Sequence, residues 1–178
     1  MRILGIDPGL RLTGYASLDE MAEPGSCLAT GEPVRLHEAG VLRLGRSGGT
    51  DAMTVSARLD ELDRDFRGLL DRIRPQAVAV EALFSHYGHP ATAIIMGHAR
   101  GVMLLAVRQA GLTLIELRPA TVKKSITGNG QARKDQMQRA VQACFGLDTL
   151  PEPPDVADAI AIALCGLRRL GAAALGSR

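Results

Sequence analysis

The segment "DVADAIAIALCGLRRL" (residues 155–170) sets the tightest condition on the fold. Ala159, Ile160, Ala161, Ile162, Ala163 and Leu164 leave it no polar side, and a helix that is apolar nearly all round must be buried. A sheet is the surface broad enough to cover it. The helix opens on Asp155 and Asp158, three positions apart and therefore on one face. Two further acids close short apolar runs that read as buried strands: Asp7 after "ILGI" (3–6) and Glu81 after "QAVAV" (76–80).

The remaining pattern supplies that sheet. Residues 2–7 and 12–18 read as strands joined through the turn "DPGL". "VRLHEAGVLRL" is a third strand, with a break at Ala39-Gly40. Leu59, Leu62, Phe66, Leu69, Leu70 and Ile73 then recur at spacings of three and four, the stripe of an amphipathic helix that Pro75 ends. Strand 76–81, an apolar helix over 91–111, strand 113–117 and helices near 119–126 and 132–146 follow, and "PEPP" breaks the chain before the last helix. The expected fold class is α/β: a mixed five-stranded sheet, three antiparallel strands and then βα units, flanked by helices. If strand 76–81 lies parallel to strand one, Asp7 and Glu81 end side by side.

The chain has 178 residues, 46% of them hydrophobic, and one domain over 1–178 is expected. The Gly- and Pro-rich stretch 19–33 and "GRSGGT" read as surface excursions, and 171–178 as a frayed tail. No apolar stretch reads as long enough to cross a bilayer, and no signal layout is seen. Cys27, Cys144 and Cys165 are scattered, so neither a disulfide nor a zinc site is expected and a reducing cytoplasm is the natural setting. Net charge is only +2, but all three lysines, Lys123, Lys124 and Lys134, fall in "VKKSITGNGQARK", with Arg118 and Arg133 beside them. Such a strip is either a solvated face or a phosphate-contacting one.

Each acid has an ordinary explanation: Asp7 as a turn residue, Glu81 as a strand-end charge, Asp155 as a helix cap with Asp158 complementing the dipole. Together they sit where buried elements end, not on exposed faces. Like charges so grouped repel strongly in a low dielectric, and a hard divalent cation removes that cost. Oxygen donors without His or Cys suit Mg²⁺ or Mn²⁺. Two ions roughly 3.5–4 Å apart can activate water and stabilise the leaving oxygen of a phosphodiester.

The blocks "GIDPGLRLTGY", "AVAVEALF", "GHARGV", "ATVKKSITGNGQARKDQM" and "DVADAIAIAL", in this order and spacing, closely resemble the RuvC family of Holliday-junction resolvases. The resemblance spans residues 2 to 167. It implies an RNase H-like fold and a homodimeric, Mg²⁺-dependent endonuclease that nicks a four-way DNA junction symmetrically and leaves 5′-phosphate and 3′-hydroxyl ends. It also implies RuvA and RuvB as partners and a sequence preference at the cut. Carried over by motif, the catalytic and metal-binding acids are Asp7, Glu81, Asp155 and Asp158. Lys123 and Lys134 match the family's basic positions, with Lys124 in the same block, and Phe84 matches the aromatic after the catalytic Glu.

Phe84 and Tyr87 are two of only five aromatics in the chain, placed in "ALFSHYGHP" beside an acidic site, where an aromatic can stack on splayed bases. His86 and His89 read as polar loop residues rather than ligands, and His98 as a structural helix residue. On helix 91–110, Ala91, Ile94, Ile95, Met96, Val102, Met103 and Leu104 could equally be buried under the sheet or seal a two-fold interface; a symmetric substrate favours the dimer. Three rival readings are a phosphotransferase of the actin and sugar-kinase type, which shares a G-I-D-x-G strand, a non-cleaving junction-binding module, and a nuclease of the same fold acting on RNA or linear DNA. One domain of this size cannot enclose ATP as those kinases do, so no nucleotide cofactor is expected.

Overall fold

The structure, a computed structural model, describes residues 1–21, 33–45, 54–82 and 90–176. Strands β1 (Arg2–Asp7), β2 (Leu12–Glu20) and β3 (Val34–Arg43) come first, followed by α1 (Val55–Ile73), β4 (Ala77–Glu81), α2 (Pro90–Gln109), β5 (Thr113–Leu117), α3 (Pro119–Thr127), α4 (Lys134–Phe145) and α5 (Pro154–Gly176). The strands form one sheet in the order β3-β2-β1-β4-β5. β2 is antiparallel to β1 and to β3, while β4 is parallel to β1 and to β5. The expected mixed sheet is therefore observed, with β1 at its centre.

Alternation along β1 and β4 divides the core into two layers. Ile3 and Ala79 face α3, α4 and α5, where Ile160, Ile162 and Val141 complete one core. Leu4, Ile6, Val78 and Val80 face α1 and α2, where Leu62, Phe66, Ile73 and Met103 complete the other. Burial on both faces is why these strands read as unbroken apolar runs. α5 lies unusually deep. A Cβ on Gly5 would stand 2.3 Å from the Ala159 carbonyl oxygen, and one on Gly166 2.7 Å from the Ala79 Cβ. Glycine and alanine at the seam let helix backbone approach strand backbone.

α1 stops as its pattern requires: Arg74 turns into the left-handed region at φ 50°, and its N–H caps the Leu70 carbonyl just before Pro75. β3 does not break at Ala39-Gly40. It runs through because Gly40 makes room for Tyr15 on β2, whose hydroxyl would stand 2.9 Å from a Cβ there. Of the expected surface excursions, 19 and 20 belong to β2, and residues 22–32 and 46–53 lie outside the described residues. The expected frayed tail instead continues α5 as far as Gly176, which fits the strong helix propensity of its alanines. Cys144 on α4 is disulfide-bonded, against expectation, while Cys165 is free and buried.

The reading of α2 also needs correction. Residues 91–109 have mean hydropathy 1.2 and are, by length and composition alone, long and apolar enough to cross a membrane, with 22% of the stretch buried. Its inner face packs Ala99, Met103, Ala106 and Val107 into the core, whereas Ile94 and Leu105 are 60% and 56% exposed. Met103 is thus unavailable to a partner, whereas Ile94, weighed with it for core or interface, is exposed.

Candidate active site

The parallel register of β1 and β4 sets Ile6 against Val80, so the next residue on each strand, Asp7 and Glu81, emerges at the same sheet edge. Across the antiparallel ladder Asp7 is paired with Gly14 of β2. α5 begins directly over that position: a Cβ on Gly14 would stand 2.1 Å from the carbonyl oxygen of Asp155. Pro154 begins the helix, a residue suited to a first turn that lacks an N–H partner. Asp155 and Asp158 are thereby delivered to the edge where Asp7 and Glu81 end. All four acids line one cleft of about 360 Å³, together with Lys123 of α3 and Lys134 of α4.

The cleft is electrostatically tense. The Asp7 carboxyl is pushed up to about 8, first by burial and then by the charges of Asp158, Glu81 and Asp155, with Lys134 opposing. Glu81 is pushed up to about 7 by burial and by Asp158, against Lys123 and Lys134. Asp158 is raised as well, chiefly by burial. Among the described residues, none of the four carboxylates closes an ion pair with a cation. The two lysines relieve the repulsion from a distance without neutralising it.

The donor set is all carboxylate oxygen, which fits a hard divalent cation and not zinc or copper. Among the described residues, no three His, Cys, Asp or Glu side chains stand together as a group that could hold a metal ion, so the cleft offers no closed cage. Mg²⁺ does not require one. It keeps several waters and is held by one or two carboxylates plus substrate phosphate oxygens. The residues therefore fit an open site completed by water and phosphate.

Of the other residues singled out from sequence, Arg118 is the exposed N-cap of α3, and Lys124 is exposed on the same helix. Arg133 caps α4 and lies 3.3 Å from Asp135. None of these three lines the cleft. Phe84, Tyr87, His86 and His89 fall outside the described residues. His98 lies on α2 and is exposed, not packed into the core. Met96, weighed for either the core or a two-fold interface, lines the cleft.

Three residues that sequence reasoning passed over support the site. Thr13 is fully buried; its Oγ1 donates to the Gly9 carbonyl at 2.6 Å and accepts the Gly9 N–H at 3.3 Å, pinning the turn that follows Asp7. Its one sequence signal is a hydroxyl within an otherwise core-forming strand. Gly14 admits the α5 backbone. Arg100 donates from α2 to the Glu81 carbonyl at 3.1 Å. Neither of these last two could be found without the tertiary fold.

A family model described as "Crossover junction endodeoxyribonuclease RuvC" matches residues 3–166. A crossover junction endodeoxyribonuclease RuvC of Rhodopirellula baltica is 45% identical over 164 residues, covering 92% of this chain and 84% of the relative. The solved structure of Thermus thermophilus RuvC superposes with a TM-score of 0.77 at 30% identity, covering 96% of this chain and 97% of that one. The same Thermus protein in complex with a Holliday junction substrate gives 0.78 at 29% identity, with 96% of each chain covered. A match of this extent sets aside the phosphotransferase reading, and the fold is the RNase H-like one expected. The chain belongs to the RuvC family of crossover junction endodeoxyribonucleases.

Proposed function

We propose that this chain resolves four-way DNA junctions by symmetric paired nicks, with Asp7, Glu81, Asp155 and Asp158 as the catalytic and metal-holding acids. Nucleases of this family depend on divalent metal; Mg²⁺, with Mn²⁺ as a substitute and two ions per site, is our reading for this chain. The observation that carries it is the convergence of β1, β4 and α5 on one cleft whose acids close no ion pair among the described residues, with Asp7, Glu81 and Asp158 raised in pKa by burial and by neighbouring carboxylates.

Bound divalent metal supplies Lewis-acid activation of water and charge stabilisation at the leaving oxygen. The chain's own residues do the rest. Asp7 and Glu81, fixed at adjacent strand ends, present oxygens from the sheet, and Asp158 and Asp155 present theirs from α5. Lys123 and Lys134 attract the scissile phosphate into a cleft that would otherwise repel it, since an anionic backbone is held by clustered cations. Arg118, Lys124 and Arg133, exposed on or at the start of α3 and α4, extend the basic strip along the neighbouring backbone. Phe84 and Tyr87 remain our candidates for stacking on opened bases.

A homodimer built on the outward face of α2 gives two such clefts, one for each strand to be cut. The exposed Ile94 and Leu105 support it. On the family resemblance and not on cysteine usage, the products are 5′-phosphate and 3′-hydroxyl ends, the setting is recombination and repair in the cytoplasm, and the branch-migration proteins RuvA and RuvB are the partners. The test is cutting of a synthetic mobile four-way junction against a linear duplex of the same arms, with and without Mg²⁺. Paired, Mg²⁺-dependent nicks confined to the junction are expected. Equal cutting of the duplex, or none of either, overturns the reading.

A further inference from the structure

We propose that Arg100 is a positioning residue for Glu81: from α2, its guanidinium locks the end of β4 against β5 and so sets where the Glu81 carboxylate stands. This inference rests on the reading of the four acids given above.

Glu81 needs such a lock. The β1–β4 register ends with Ile6 opposite Val80, leaving Glu81 beyond that ladder. On its other side Glu81 is registered with Leu117, and the Ala82 N–H donates to the Leu117 carbonyl at 2.8 Å. Arg100 Nε–H donates to the Glu81 carbonyl at 3.1 Å, and a terminal N–H of the same guanidinium bonds the Glu116 carboxylate on β5. One planar group thus joins a helix and two strand ends. The Arg100 side chain is only 15% exposed, while Glu116 is 51% exposed. An ion pair with so exposed a partner contributes little by itself. The rigid fork of a guanidinium, which lysine lacks, is what lets one side chain bridge a carbonyl and a carboxylate.

Arg100 acts on the main chain of Glu81 and not on its charge. The charged groups that shift the Glu81 carboxyl are Asp158, Lys123 and Lys134, Asp7 lies close enough to feel the Glu81 charge, and Arg100 is not among them. Losing Arg100 should therefore misplace a metal ligand without weakening attraction for DNA. A ligand misplaced by about 1 Å can cost on the order of 100-fold in rate.

The experiment compares the parent with Arg100→Gln, Arg100→Lys and Glu116→Gln. Mn²⁺ binding to the DNA-free protein is read from the electron paramagnetic resonance of free Mn²⁺, junction binding is read without divalent metal, and single-turnover cutting and thermal melting complete the set. For Arg100→Gln, Mn²⁺ affinity and cutting should fall about 10–100-fold, the usual effect of removing a group that orients a metal ligand, with junction affinity within about twofold of the parent. Arg100→Lys should recover only part of this. Glu116→Gln leaves the bond to the Glu81 carbonyl and should lose less than Arg100→Gln.

Parental Mn²⁺ affinity and cutting in Arg100→Gln overturn the inference. So does a joint loss of Mn²⁺ affinity, junction binding and melting temperature in both Arg100 variants, which marks a merely structural residue. A parent that neither binds Mn²⁺ nor cuts junctions overturns the reading of the site itself, a distinguishable result.

Discussion

A Cβ on Gly14 would lie 2.1 Å from the carbonyl oxygen of Asp155. Gly14 also faces Asp7 across the β1–β2 ladder, so this one missing side chain fixes the separation between an acid of the sheet and the acids of α5.

Gly14→Ala should push the start of α5 off the sheet. Overpacking of this kind costs about 1–3 kcal/mol, a fall in melting temperature of roughly 2–12 °C for a chain this size. Cutting of a four-way junction should fall by more than about 100-fold, because Asp155 and Asp158 move with the helix. Gly68→Ala, on α1 with nothing within 4 Å of its built Cβ, should cut normally and melt no lower. Normal cutting by Gly14→Ala would contradict the placement of α5.

Asp7→Asn should abolish cutting, by more than about 100-fold, while junction binding is kept or improved, since a negative charge beside phosphate is removed. The same change should stabilise the metal-free protein at alkaline pH. The folded Asp7 carboxyl is pushed up to about 8, so the folded state holds a proton that the unfolded chain releases near pH 4. Stability is therefore lost as pH rises through that window. At pH 8 and above, metal-free Asp7→Asn should melt about 2–8 °C higher than the parent, the shift expected of roughly 1–2 kcal/mol; near pH 4 the difference should vanish. Scanning calorimetry in EDTA reads both.

Metal and protons should compete for the cleft. Asp7 at about 8 and Glu81 at about 7 must lose their protons to bind a cation, so metal binding releases protons. The Mg²⁺ concentration for half-maximal cutting should fall steadily from pH 6 to pH 8.5, and saturating Mg²⁺ should move the acid limb of the rate profile to lower pH. A pH-independent Mg²⁺ requirement would contradict the shared site.

Lys134→Ala should have two effects where Lys124→Ala has one. Losing a phosphate contact lowers the slope of log affinity on log salt by about 1 in either variant. Lys134 also lowers the pKa of Asp7, Glu81 and Asp158. Its removal should therefore move the acid limb of cutting to higher pH at fixed Mg²⁺, whereas Lys124→Ala, outside the cleft lining, should leave that limb in place.

Much of the site was legible because its acids close elements whose hydrophobic pattern is unambiguous. "ILGID" and "AVAVE" are apolar on both faces, as only central strands are, whereas their adjacency was only a condition in the sequence, met by the parallel β1–β4 pairing. The all-round apolar run 159–164 likewise announced a buried α5. The supporting residues were hidden for an equally physical reason. Gly14 matters only once α5 lies over β2, and Arg100 only once α2 passes the end of β4; both are contacts between segments far apart in sequence. Gly40 looked like a strand break because glycine weakens strands, and its actual role, room for the Tyr15 ring, belongs to a neighbouring strand.

The central claim is that acids from β1, β4 and α5 share divalent metal in one cleft. Anomalous diffraction from Mn²⁺-soaked crystals tests it most directly. The account predicts density inside the cleft, with an oxygen of Asp7 at about 2.0–2.2 Å, the distance typical of a small hard dication, and with Glu81 or Asp158 turned toward the same ion. Mn²⁺ bound only elsewhere on the chain, with these carboxylates apart and unliganded, would contradict it.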